Sequence, residues 1–160
     1  MTRGRKPTPT GMKAVAGNPG KRPLNDQEAK IEAALPEAPD ELNGFARAEW
    51  VRVSADLYRA GLLTRIDRAA LASYCMAYGR WAQAERAIAK MAALDPITGG
   101  LMVKTSNGNA VQNPLVGTAN KAMADMVRYA AEFGMTPSAR SRISAEPPGD
   151  DTADPAAKYF

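Results

Sequence analysis

Apolar residues return at three- and four-residue steps in three separate stretches of this chain, the period of one face of an α-helix. In the longest, Thr64–Ala93, they are Ile66, Ala70, Leu71, Tyr74, Cys75, Tyr78, Trp81, Ala82, Ile88 and Ala92. The stretch contains no proline and one glycine, and predicts a helix of roughly 40 Å. Thr64 with Asp67 reads as its N-terminal cap, the hydroxyl accepting from an early backbone N–H. A shorter helix is predicted from about Gly44 to Ala60, with Asn43 as cap. Its stripe is Phe45 or Ala46, Trp50, Val53 and Leu57, and Gly61 closes it in a left-handed conformation. The link through Leu62 and Leu63 is so short that the two helices form an antiparallel hairpin. A third helix starts at Asn113-Pro114, a cap followed by proline in the first turn. It buries Leu115, Ala119, Ala122, Met123, Met126, Ala130 and Phe133 and stops at Gly134, and a short helical turn follows Thr136-Pro137.

Residues 94–113 lose the helical period. Leu101–Thr105, then Asn107-Gly108, then Ala110–Gln112 reads as a β-hairpin; Asn-Gly favours a type I′ turn, and the flanking polar residues also allow a longer loop. An isolated two-stranded hairpin is marginal in water, so it must pack on the helices or pair with a neighbouring subunit. The expected fold is therefore mainly α: an αα-hairpin with a long central helix, plus a third helix and a small β-hairpin, with flexible termini. The expected boundaries are a basic arm at 1–23, an acidic proline-containing linker at 24–43 and a helical oligomerisation core at 44–144. An acidic disordered tail at 145–160 completes the chain.

Charge sharpens this division. Residues 1–23 hold Arg3, Arg5, Lys6, Lys13, Lys21 and Arg22 with no acid, although the whole chain is only +4. Residues 24–43 hold six acids against Lys30. Six cations on a segment rich in proline and glycine suit an arm that binds phosphates, with Arg140 and Arg142 as a second candidate site. The acidic strip reads as a solvated linker or as a shield for basic arms. Alanine dominates the apolar residues and aromatics are 6%, so the core buries little area per residue and oligomerisation would support it.

Chemistry is sparse. The chain has no histidine, the commonest general base and metal ligand, and a single cysteine cannot build a thiolate zinc site. Cys75 reads as a buried small side chain. Gly17–Lys21 lacks the GxxxxGK[ST] spacing of a phosphate loop. No enzyme, cofactor or metal site is expected. No apolar run reaches the roughly 18 residues that a membrane span needs, and no apolar stretch follows the basic N-terminus as in a signal peptide. One cysteine fits a reducing cytoplasm.

Several motifs occur together and in order. They are Gly17-Asn18-Pro19-Gly20-Lys21-Arg22-Pro23-Leu24, and Leu62-Leu63-Thr64 with Asp67, Leu71, Tyr74-Cys75, Tyr78 and Trp81. Thr105-Ser106-Asn107-Gly108, Asn113-Pro114 and Asn120-Lys121-Ala122 follow, then Glu132-Phe133-Gly134-Met135-Thr136-Pro137-Ser138 with Arg140-Ser141-Arg142. Over about residues 11–144 the chain resembles a family of phage terminase small subunits. The resemblance implies a homo-oligomeric ring that recognises viral double-stranded DNA in the bacterial host cytoplasm. Such a ring delivers the DNA to a large terminase subunit carrying the ATPase and nuclease. Two other readings stay open. One is a small helix-turn-helix regulator using Arg65 and Arg68 at the start of the long helix. The other is a structural virion adaptor that does not bind DNA.

Overall fold

Sixteen residues, Gly44–Arg59, form α1. A 3-10 turn over Arg65–Asp67 leads into α2, Arg68–Ala92, and Pro114–Glu132 form α3. A short α4 covers Pro137–Arg140. Between α2 and α3 lies a hairpin of β1, Met102–Lys104, and β2, Ala110–Gln112. The architecture is mainly helical with one small antiparallel sheet. This computed structural model describes residues 17, 21, 23–24, 31, 33–42 and 44–140. The expected cap Asn43 lies outside that set.

α1 folds back on α2 because the link between them is tight. Gly61 has φ 67°, and Leu62 N–H donates to Leu57 O at 2.9 Å, closing the helix as expected. Asp67 then ties off the start of the next helix. Its carboxylate accepts from Thr64 N–H at 2.9 Å and from the Thr64 hydroxyl at 2.6 Å. Thr64 and Asp67 thus form the expected capping box, in which the Thr64 side chain also faces the backbone N–H of Asp67 as an acceptor. With the chain reversed, Ala46 near the start of α1 lies beside Gly79 in the middle of α2. A Cβ at Gly79 would sit 3.0 Å from Ala46 Cβ.

α2 and α3 are also antiparallel. At one end Asn113, almost fully buried, donates from Nδ2 to Gly100 O at 2.8 Å while its Oδ1 accepts from Leu115 N–H at 3.0 Å. One side chain therefore caps α3 and anchors it to the loop after α2. Gly100 has φ 74°, and a Cβ there would lie 2.6 Å from Ile88 O, so only glycine lets the loop come this close. At the other end Phe133 joins a core made of Trp50, Val53, Leu57, Leu63, Leu71 and Cys75, among others. That core sits between α1, the first half of α2 and the last half of α3. Between the second half of α2 and α3 the buried residues are Ala84 and Ile88 on one side and Ala119 and Ala122 on the other, three of the four alanine.

The hairpin pairs Met102 with Gln112, Val103 with Val111 and Lys104 with Ala110. Its turn is the longer of the two expected forms, not the two-residue type I′. Asn107 is not in the left-handed region, while Gly108 is at φ 81°. Gly108 N–H donates to Thr105 O and Thr105 N–H to Asn109 O, a three-residue loop ending in a left-handed glycine. Residues 33–42 run along the α1–α2 junction: Ala33 bridges Thr64, Ala34 N–H donates to Leu63 O, and Pro36, Pro39 and Leu42 are buried.

Three residues expected in the core are exposed: Ile66, Ala70 and Met123. Ile66 lies in the 3-10 turn, which advances about 120° per residue against 100° in an α-helix and so turns it off the α-helical stripe. Met123 belongs to a second apolar face of α3 that no described element covers. Substituting Gly79→Val forces α1 away from α2 and should lower stability by about 1–3 kcal/mol, read as a reduced midpoint in thermal or urea unfolding.

Candidate interaction surfaces

The rigid reference for every surface is a polar pin between α1 and α2. Glu49 lies on the buried stripe of α1, with its side chain 2% exposed. Arg52, one turn on, reaches back with Nε to Oε2 at 2.8 Å and Nη2 to Oε1 at 2.6 Å. Tyr74 of α2 donates its hydroxyl to Oε1 at 2.9 Å. A buried carboxylate is tolerable here because three donors satisfy it. The hydrogen bond to Glu49 raises the Arg52 guanidinium pKa, against the opposing effect of burial. Burial, then the bond to Glu49, pushes the Tyr74 phenol up to about 12. Burial and the Glu49 charge push the neighbouring Cys75 thiol up to about 12 as well, so Cys75 is an inert core side chain, as expected.

The structure places few of the cations that the sequence singled out. Arg3, Arg5, Lys6, Lys13, Arg22 and Arg142 lie outside the described residues. Lys21 is exposed with φ 45°, and Arg140 is exposed at the end of α4, donating from Nη1 to Met135 O at 3.1 Å. Of the two arginines considered for base reading, Arg65 is exposed and Arg68 donates from Nε to Glu37 O at 2.9 Å.

Two surfaces were not singled out by sequence reasoning. The first is apolar. Leu94 is 89% exposed and Ile97 93% exposed in the loop after α2, and Leu101, Met102 and Val111 are exposed on or beside the hairpin. The loop is ordered by Asp95, which accepts from Thr98 through both hydroxyl and N–H and from Ile97 N–H. The Thr98 hydroxyl bond leads the interactions that hold the Asp95 carboxyl below its usual range. Met123 and Val127 extend the apolar exposure along α3. The second is cationic: Arg80, Arg86 and Lys90 are all exposed on α2. The Arg86 guanidinium stacks over the Phe45 ring at 4.1 Å from the centroid. A depression of about 300 Å³ between α1 and α2 is lined by Glu41, Phe45, Arg80 and Gln83, among others.

Among the described residues, no group of three or more His, Cys, Asp or Glu is placed to hold a metal ion, and no helix is long and apolar enough to cross a membrane.

A family model described as phage terminase, small subunit, matches residues 46–150, more than half of the chain. The match takes in α1 from its third residue, α2, the hairpin, α3 and α4. No curated protein and no solved structure matches the chain.

The pin makes stability depend on alkaline pH. Unfolded Tyr74 loses its proton near pH 10, while the folded phenol holds it to about 12. Cys75 behaves alike from about 9 to about 12. Across that window the unfolded state binds fewer protons, so stability is fully present below pH 9 and falls as pH rises toward 12. Tyr74→Phe should cost about 1–3 kcal/mol at neutral pH by leaving Glu49 short of a donor. It should also make the alkaline decline shallower, which unfolding curves between pH 8 and 11.5 would reveal.

Proposed function

The chain belongs to the phage terminase small-subunit family, and from that premise we propose that it is a ring-forming adaptor that recognises viral double-stranded DNA. It delivers that DNA to the large terminase subunit for genome packaging. The observation that carries this reading is the extent of the family match. It runs from Ala46 through every described helix, so the whole helical core is what the chain holds in common with the family.

Each part of the role falls to a different region. Contact with DNA phosphates falls to the basic arm, through Arg3, Arg5, Lys6, Lys13, Lys21 and Arg22, with Arg140 and Arg142 beside the core. Cations of this kind position a protein on the duplex backbone and carry no sequence code themselves. Self-assembly falls to the core. Its exposed leucine, isoleucine, valine and methionine side chains at the loop, hairpin and α3 are costly to leave in water and are removed from it by contact between copies. A ring multiplies the arms, so weak single contacts act together on one DNA. Cutting and ATP hydrolysis belong to the large subunit, which works in the host cytoplasm where the phage genome is packaged.

The test is DNA binding across a salt series, with the full chain compared against a variant lacking residues 1–23. If all six arm cations displace counterions, the deletion should make the log–log salt slope shallower by about 5 per engaged arm and weaken binding at physiological salt. Equal affinity and equal slope for the two proteins would remove the arm from the DNA contact.

A further inference from the structure

The stripe of α2 that packs on α1 changes chemistry where α1 ends. Leu71, Cys75 and Gly79 lie on that stripe, with Leu71 and Cys75 fully buried and Gly79 against Ala46. Continuing at helical steps, the next residues on it are Ala82, Arg86 and Lys90. α1 stops covering α2 at Phe45, whose ring already lies under Arg86. Beyond that point Arg86 and Lys90 on the stripe are exposed, and Arg80 is exposed about 80° round the helix from Lys90, beside the depression next to Phe45.

These cations are uncommitted. Arg52, Arg59 and Arg128 are each spent on a carboxylate three residues away in their own helix. Among the described residues, Arg80, Arg86 and Lys90 have no carboxylate within 4.0 Å and no hydrogen-bond acceptor. The nearby acids are Glu41, which lines the depression beside Arg80, and Glu85, on a different side of α2. Stacking on Phe45 restrains Arg86 while leaving its N–H groups free to donate. Arg80, Arg86 and Lys90 spread over about 15 Å along the helix axis, a length over which one strand of duplex DNA presents about four phosphates.

We infer that Arg80, Arg86 and Lys90 form a phosphate-binding track on the folded core, a second contact to the backbone of duplex DNA separate from the basic arm. This rests on the DNA-binding reading above. The arm supplies reach, and the track fixes the duplex against a rigid helix, so the two contribute independent shares of the salt dependence.

The experiment measures affinity for a mixed-sequence DNA duplex from low to moderate salt, using full-length protein in samples of equal native mass. Arg80→Gln/Arg86→Gln/Lys90→Gln should weaken binding and make the log–log slope shallower by about 2 to 3, added to any effect of deleting residues 1–23. Arg80→Lys/Arg86→Lys keeps the charge and should keep the slope, which separates phosphate contact from damage to the fold. A triple variant with the wild-type slope, while the wild type binds, overturns the track and leaves the DNA-binding reading standing. Absence of salt-dependent binding by the wild type overturns that reading and the track together. A peptide of residues 145–160 that binds the wild type but not the triple variant, with DNA binding equal in both, assigns the stripe to the acidic tail and overturns the track.

Discussion

The length of α2 is the constraint on which the rest of the structure depends. It has 25 residues, and the helix folded against its first half has 16. Two elements therefore cover the first half of α2, and one covers the second. In the doubly covered half the chain builds an ordinary core from Trp50, Val53, Leu57, Leu71 and Phe133. In the other half it uses alanine at the contact with α3 and a single buried asparagine as the clamp. Small side chains let α2 and α3 approach closely, but they remove little apolar area from water. The hydrogen bonds of Asn113 and the close approach of Gly100 hold together an end that side-chain burial alone holds weakly.

That imbalance links fold to function. The half of α2 that α1 leaves uncovered carries the exposed cations Arg86 and Lys90, and the loop and hairpin at its end carry Leu94, Ile97 and Met102 in the open. Exposed cations and exposed apolar side chains thus gather at the thinly covered end. The Glu49–Arg52–Tyr74 pin lies within the doubly covered half and fixes the α1–α2 geometry from which those surfaces project. The acidic stretch adds to this: Glu37 and Pro39 supply backbone acceptors to Arg68 and Arg47, so residues 33–42 brace the helical pair.

Much of the fold could be read from the sequence because periodicity and caps report it locally. Trp50, Val53 and Leu57 on one helical face, Gly61 after it, and Asn113-Pro114 before α3 each act within a few residues, and each is found in its expected role. What escaped the reading depends on what lies opposite. Periodicity marks Met123 as apolar but does not say whether another helix covers it. Glu49 looks like a solvent residue until Arg52 and Tyr74 are seen to satisfy it. The site was less legible for the same reason. A run of cations without acids is visible in the arm, whereas Arg86 and Lys90 become a stripe only once α1 is known to end at their side of α2. Some motifs of the family resemblance sit at turns and caps, as Thr64 with Asp67, Asn107-Gly108 and Asn113-Pro114 do, and these could be read locally.

The assembly proposed above has further copies of the same chain cover the thinly covered end of this subunit. The native mass of the full-length protein at near-physiological salt and micromolar concentration, by light scattering or native mass spectrometry, tests it most directly. A single closed species of many subunits is the expected result. A monomer or a dimer at that concentration would contradict it.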